Sequence, residues 1–295
     1  MLLMQKIEEI SYKNSGSWRS IGEFLITHHA TIHQYSMQEI ADQTYTSKST
    51  LVRFAKSLGY DGWKKMMEDL LRESHFITVH HAATDVNIPF HEDDSLPQIV
   101  AAVSTLMTET ILETLDLIHY DELEKAVNLL MEKKNILILA QSPNVYEAEL
   151  FRRKMLSIGR NVLISNYDTG LLASSMDNEQ TVCIMISYSG NNPDRYPVNK
   201  LGLLREKGIP VIALTGLGDS VLRNQADCVL NIASRERLYS KIATFSTEES
   251  IATLLNALYS GVFVKNYQEN LDYRIHQGRR WEKRFTNYFE MREDE

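Results

Sequence analysis

The spacing of apolar residues changes along the chain near residue 130. Before that point apolar side chains recur at intervals of three and four residues, as at Leu3, Ile7 and Ile10, which places them on one face of a helix. After it, short unbroken apolar runs alternate with stretches of helical spacing. The pattern predicts a helical N-terminal part followed by an α/β part.

The α/β part contains five short apolar runs, each suited to a strand that is buried on both faces. Strands that alternate with helices predict a doubly wound, five-stranded parallel sheet with helices on both faces. The ligand of such a sheet binds beyond the carboxyl ends of the strands, where the strand order reverses. The predicted strands cover residues 136–140, 162–165, 182–186, 211–214 and 229–232.

The third of these strands leads into a polar loop. Serines, a glycine and two asparagines follow the run 181–186, and Pro193 is predicted to open a helix over 194–207. Free backbone N–H groups, a helix dipole and hydroxyl groups together bind phosphate. The alternative is an ordinary turn, because the same residue types are common in turns. The predicted ligand residues are Ser187, Ser189, Gly190, Asn191 and Asn192, with Gln141, Ser142 and Asn144 from the loop after the first strand and Glu248 from the start of a later helix.

The helical part contains a short helix, a turn and a longer helix with a basic, polar first turn. Ser36 and Glu39 predict a capping box for the first helix, which ends near Thr44. Ser47 is predicted to cap the second helix and Gly59 to end it. This arrangement is typical of a helix-turn-helix, whose second helix enters the major groove of DNA. A plain three-helix bundle with a basic face is the alternative. The predicted DNA-facing residues are Ser47, Lys48, Ser49, Thr50 and Arg53.

The formal net charge of −8 over 295 residues does not by itself favour nucleic acid as a partner. Basic and acidic residues balance over residues 1–75, however, so the acidic excess lies in the remainder. A basic stripe on a neutral domain is compatible with DNA binding. Around the second helix of the predicted helix-turn-helix, the stripe consists of Lys48, Arg53, Lys56, Lys64 and Lys65 against Asp61.

The two cysteines, Cys183 and Cys228, lie in apolar runs, so we expect buried free thiols and a cytoplasmic protein. No signal peptide is predicted, because the N-terminus turns acidic at once. No apolar run reaches the roughly 18 residues that a membrane helix needs. The histidines between residues 75 and 91 have no cysteine or carboxylate at a ligand spacing, so neither a metal site nor a cofactor is predicted.

Four regions are predicted along the chain. Residues 1–75 form the helix-turn-helix domain, and 76–121 contain a linker and a long helix that begins at residue 96 and serves as a dimer element. The periodicity is lost over 73–95. Residues 122–268 form the α/β domain, and 269–295 form a further helix that packs on a neighbour or a second subunit.

The N-terminal domain resembles the DNA-binding domain of RpiR-type bacterial transcriptional regulators. In that family the pattern Ser-x-x-Thr-x-x-Arg-Phe, followed by Leu-Gly and an aromatic residue, marks the recognition helix and its exit. The departure from the family is Tyr45, which stands where a glycine is usual in the tight turn, so a reshaped turn is expected. The matching residues are Ser47, Thr50, Arg53, Phe54, Leu58, Gly59 and Tyr60.

The second domain resembles the sugar isomerase (SIS) domain, a phosphosugar-binding module. The signature Ser-x-Ser-Gly is present at residues 187–190. The family's Gly-x-Gly-x-Ser pattern after the first strand is absent, because residues 140–144 read Ala-Gln-Ser-Pro-Asn, and Asn192 replaces a serine or threonine. The resemblance implies a DNA-binding regulator that senses a phosphorylated sugar or amino sugar, acting as a homodimer or tetramer on palindromic duplex DNA.

An enzyme is the alternative. A phosphosugar isomerase or lyase needs a base that moves a proton between carbons. Glu248 and Glu249, at the start of a helix predicted over 246–267, are the candidates near the pocket edge. Acidic residues are also favoured in the first turn of any helix, so we predict that the protein is not an enzyme. A DNA-binding dimer whose altered first loop has closed the pocket is a third hypothesis.

Overall fold

The computed structural model describes residues 3–80, 85–165 and 178–290, which fall into two compact units. The first unit comprises residues 1–110 together with 234–247. The second comprises 111–233 and 248–295. The segment 234–247 follows β5 (Cys228–Ile232) in the chain, so the order of the elements alone would assign it to the second unit.

The first unit is helical, as predicted. Leu51 and Phe54 of the fourth helix are fully buried, together with Ile40 of the third and Met66 of the fifth. The fifth helix runs through residues 73–80, where a loss of helical pattern was predicted; this stretch contains neither of the residues that break helices, glycine and proline. The helices are α1 Leu3–Lys13, α2 Ser17–Thr27, α3 Met37–Gln43, α4 Lys48–Ser57, α5 Trp63–His80 and α6 Leu96–Asp116.

Residues 234–247 are joined to α1 by partly buried hydrogen bonds. The Glu8 carboxylate accepts the backbone N–H groups of Leu238 at 2.5 Å, Ser240 at 2.9 Å and Tyr239 at 3.3 Å. It also accepts the hydroxyl of Ser240. The ring of Tyr239 stacks on that of Tyr12, with 4.6 Å between centroids. A single glutamate therefore organises the backbone of the segment, because a carboxylate can accept several N–H groups at once.

The second unit contains a five-stranded sheet in the order β2-β1-β3-β4-β5, and every neighbouring pair is parallel. Every position of β3 and β4 is buried, so the apolar runs that predicted them are strands covered on both faces. The predicted α/β fold is confirmed. The strands are β1 Asn135–Ala140, β2 Val162–Ser165, β3 Thr181–Ile186, β4 Val211–Gly216 and β5 Cys228–Ile232.

The helix predicted over 194–207 is wrong in its first half. The chain forms irregular turns up to Pro197, and the helix begins at Leu201 after a single 3₁₀ turn. Pro197 lacks the N–H that a helix requires there, and it disfavours helical geometry at Tyr196. The helices of this part are α7 Tyr120–Glu132, α8 Val145–Leu156, α9 Leu201–Glu206, α10 Val221–Gln225, α11 Phe245–Lys265 and α12 Tyr267–Glu290.

Both cysteines are free and buried in strands, as predicted. Burial raises the pKa of the Cys183 thiol well above its usual range, so the thiol stays protonated and unreactive. In the described part of the chain, none of the helices combines the length and the apolar character required to cross a bilayer.

Candidate DNA interface and ligand site

The turn between α3 and α4 is tightly ordered. Ser36 and Glu39 form the predicted capping box: Glu39 N–H donates to Ser36 Oγ at 3.3 Å, and Ser36 N–H donates to Glu39 Oε2 at 2.7 Å. The hydrogen bonds to Ser36 lower the pKa of Glu39. At the other end, Thr44 Oγ1 donates to the carbonyl of Ile40 and lies 2.9 Å from Thr46 Oγ1. The turn thus presents α4 in a defined orientation.

Helix α4 buries one face and exposes the predicted DNA-facing residues. Leu51 and Phe54 are fully buried, and the Phe54 ring packs edge-on against Trp18 at 5.9 Å. Ser47 caps the helix by accepting the Thr50 N–H. Three hydroxyls and one guanidinium form a connected network on the outer face, in which Arg53 donates to Thr50 Oγ1 at 3.2 Å. The exposed set comprises Ser47, Lys48, Ser49 and Arg53, with Thr50 half-buried.

The predicted ligand loops leave neighbouring strands at one edge of the sheet. Ala140 at the end of β1 pairs in register with Ile186 at the end of β3. Because β2 lies on the other side of β1, the strand order reverses between β1 and β3. This is the switch point at which doubly wound sheets bind their ligands. The structure therefore brings the loops 141–144 and 187–192 to the same place.

The loop 187–192 is fixed by its glycine. Gly190 has φ of +59°, and a Cβ there would lie 2.8 Å from the hydroxyls of Thr215 and Ser220 and 3.1 Å from Leu222 Cβ. Its N–H donates to Ser187 Oγ at 3.3 Å. Only glycine combines the left-handed backbone with the missing side chain, so the close packing of this loop depends on it.

The other residues of the predicted site differ in what they contact. Asn191 bonds to the loop 219–221: its Oδ1 accepts Val221 N–H and its Nδ2 donates to the carbonyl of Asp219, both at 3.3 Å. Asn192 Oδ1 accepts Asp194 N–H, which orders the turn. Within the described residues, the Ser189 hydroxyl has no hydrogen-bond partner and remains available to a ligand. Asn144 precedes α8 without capping it through its side chain.

Carboxylates from two helix starts lie near each other in the second unit. Burial raises the pKa of Glu147, in the first turn of α8, and the charges of Glu248 and Glu249 raise it further. Glu147 was not predicted, because only the fold brings the start of α8 close to the start of α11. The α11 start is itself capped by Glu236, whose Oε1 accepts the N–H of Ser246 at 2.6 Å.

The comparison with known proteins agrees with both the helix-turn-helix and the parallel sheet described above. The helix-turn-helix domain of the rpiR family matches residues 1–74, and the SIS domain matches residues 129–260. The chain belongs to the RpiR-type regulators. Its helix-turn-helix domain precedes its SIS domain in the chain.

Relatives of this RpiR-type chain span nearly its full length. An uncharacterised HTH-type transcriptional regulator of Clostridium perfringens is 23% identical over 276 residues, covering 93% of this chain and 97% of that protein. The uncharacterised HTH-type regulator YbbH of Bacillus subtilis is 24% identical over 273 residues, covering 90% and 92%. The structure of Vibrio vulnificus NanR complexed with ManNAc-6P has a TM-score of 0.57 at 18% identity, covering 94% and 97%. At that identity the likeness shows the fold.

Proposed function

We propose that this regulator binds a specific DNA site through α4 and that a phosphorylated sugar or amino sugar, bound at the edge of the sheet, changes that binding. The observation that carries the proposal is the glycine-locked serine loop at the switch point of the sheet, in a chain that also carries an exposed basic recognition helix. Such a regulator acts on the chromosome, which in a bacterium places it in the cytoplasm.

The proposed ligand site has a phosphate end and a sugar end. The hydroxyls of Ser187 and Ser189 offer donors to the phosphate, and the Gly190 N–H, which donates to Ser187 Oγ, orients the Ser187 hydroxyl. The helix dipole invoked from the sequence does not contribute, because the chain after Asn192 forms turns. Gln141, Ser142 and Asn144 close the site from the β1 side, and the Glu248 carboxylate accepts a sugar hydroxyl. The complex of NanR with ManNAc-6P, a phosphorylated amino sugar, supports this ligand class.

The proposed operator is palindromic and the proposed regulator a homodimer or tetramer. Two recognition helices related by a two-fold axis read half-sites about 34–36 Å apart, or a multiple of that distance. Helix α6 supports self-association, because several of its large apolar residues are exposed. The exposed fractions are 76% for Leu96, 63% for Val100, 58% for Leu112 and 46% for Leu115. Sedimentation equilibrium of the full chain tests the oligomeric state.

The proposed coupling between ligand and DNA runs through residues 234–247. This segment begins two residues after the end of β5 and ends within the first turn of α11, where Glu248 is the next residue in the chain. Its backbone is bonded to Glu8 of α1, in the helical unit that contains α4. A ligand can change DNA affinity only if it binds two arrangements of the protein unequally, which typically contributes 1–3 kcal/mol.

Arg53→Ala is expected to weaken specific DNA binding by about 1–3 kcal/mol, because a guanidinium at a base edge contributes about that much discrimination. Lys48→Ala is expected to weaken binding to all sequences and to reduce the slope of log K against log salt by about 1. Fluorescence anisotropy measures both effects, with a duplex selected by the wild-type protein from a randomised pool and a scrambled duplex of equal length.

The control for these variants is Arg19→Ala, which removes one positive charge from α2. Arg19 is exposed and pairs with Glu23 at 2.7 Å. We expect its loss to leave the affinity within twofold of the wild type. Equal affinity of the wild type for the selected and scrambled duplexes would contradict the proposed function.

A catalytic role is the second candidate, because Glu147, Glu248 and Glu249 place carboxylates near the proposed sugar end. We expect no turnover: the purified protein should leave hexose, pentose and amino-sugar phosphates unchanged in an NMR assay. If an isomerised product forms and Glu248→Gln abolishes it, the protein is an enzyme with Glu248 as its base.

A further inference from the structure

Tyr45, in the turn that leads into α4, adopts a left-handed backbone with φ of +51°. Its N–H donates to the carbonyl of Asp42 at 3.2 Å, and the N–H of Thr46 donates to the carbonyl of Ala41 at 2.8 Å. This pair of bonds is the Schellman motif, which ends a helix and requires a left-handed residue at the position of Tyr45. Glycine is the usual residue there, because it has no Cβ to collide with the backbone.

The chain itself provides the comparison. The same pair of bonds follows α4, α8 and α9, and in each case the left-handed residue is a glycine: Gly59, Gly159 and Gly208, with φ of +90°, +76° and +66°. Over residues 3–80, 85–165 and 178–290, Tyr45 is the only residue other than glycine with a positive φ. The sequence predicted a reshaped turn, and that prediction is wrong. The turn keeps the usual backbone geometry, with Tyr45 in a strained conformation.

The Tyr45 side chain does not offset this strain within the protein. Its exposed fraction is 97%, and among the described residues it has neither a hydrogen bond nor a ring contact. A bulky residue in the left-handed region is a genuine outlier, and such outliers concentrate at functional sites. We therefore infer that the Tyr45 side chain contacts a molecule that binds at this turn.

We propose that Tyr45 contacts DNA, with its phenol hydroxyl donating to a backbone phosphate at the edge of the groove that α4 enters. The residue lies two positions before the cap Ser47, and the side chains of Ser47, Lys48 and Ser49 beside it are exposed and either hydroxylated or basic. Tyrosine hydroxyls are among the groups that bind DNA phosphates and position a protein on the duplex. This inference rests on the proposed DNA-binding function.

The test compares Tyr45→Gly, Tyr45→Asn and Tyr45→Phe in the full chain. Tyr45→Gly is expected to raise the Tm by about 2–4 °C, because strain is relieved. It is also expected to weaken binding to the selected and scrambled duplexes alike, by about tenfold. Asparagine tolerates the left-handed backbone, so Tyr45→Asn should weaken binding as much as Tyr45→Gly does. Tyr45→Phe keeps the ring and loses the hydroxyl, so it should lose most of the same affinity without a change in salt slope.

Tyr120→Phe, at an exposed tyrosine of α7, serves as the matched control and should bind DNA as the wild type does. A variant that is more stable and binds DNA less well cannot owe its weaker binding to misfolding. If wild type and Tyr45→Gly bind the selected duplex equally, the contact is absent and the inference is overturned. A lower Tm for Tyr45→Gly overturns the strain argument. If the wild type binds no duplex at all, the proposed function itself fails.

Discussion

Gly190→Ala is expected to abolish the response to the effector and to leave DNA binding without effector nearly unchanged. The added methyl group would lie 2.8 Å from two hydroxyls, and the residue would keep a φ of +59°. The left-handed backbone costs about 1–2 kcal/mol, and overpacking costs about 1–3 kcal/mol more. We expect the unfolding free energy of the second unit to fall by about 2–5 kcal/mol and effector affinity to fall at least tenfold.

Thermal-shift measurements with a panel of sugar phosphates and amino-sugar phosphates, ManNAc-6P included, identify the effector of the wild type. At 100 times its dissociation constant it should stabilise the protein by about 2.7 kcal/mol. Gly202→Ala is the control, because a Cβ there meets no atom within 4 Å and alanine favours the helix. Ser189→Ala removes a proposed ligand contact without strain. If Ser189→Ala and Gly190→Ala both bind every phosphate as the wild type does, the ligand site lies elsewhere.

The local elements of both units could be predicted from sequence because their signals lie within a few residues. The capping box was recognised from Ser36 and Glu39, which lie three positions apart, and the cap Ser47 from its place before the apolar stripe of α4. The strands were recognised from unbroken apolar runs. The ends of β1 and β3 were predicted to meet because parallel strands point their carboxyl ends the same way. Their register, Ala140 with Ile186, was not predicted, because parallel direction alone leaves the register open.

Two features could not be predicted, and one was missed despite a visible signal. The bonds between Glu8 and residues 238–240 join positions about 230 apart, and no spacing rule connects a glutamate to distant backbone N–H groups. The proximity of Glu147 to Glu248 also depends on the finished fold. The late start of α9, by contrast, was visible in the two prolines at 193 and 197, which exclude a regular helix between them.

Glu8→Ala is expected to uncouple the effector from DNA. In the wild type the Glu8 carboxylate accepts three backbone N–H groups and one hydroxyl from residues 238–240. A hydrogen bond to a charged group contributes about 1.5–3 kcal/mol, and water replaces part of the loss at these half-buried and exposed donors, so the unfolding free energy should fall by about 3 kcal/mol. The ratio of DNA affinities with and without effector should fall towards 1, while effector binding itself persists.

Glu9→Ala is the matched control on the same helix, because within the described residues the Glu9 carboxylate pairs with Lys13 alone, at the surface and at 2.6 Å. Such pairs contribute little, so stability should stay within about 0.5 kcal/mol of the wild type. Glu8→Gln keeps the shape and one carbonyl oxygen, and it should lose part of the coupling even if Glu8→Ala does not fold. Binding free energies are reciprocal, so the variant should also lose the effect of DNA on effector affinity. A folded Glu8 variant with full coupling in both directions would show that the signal does not pass through residues 234–247.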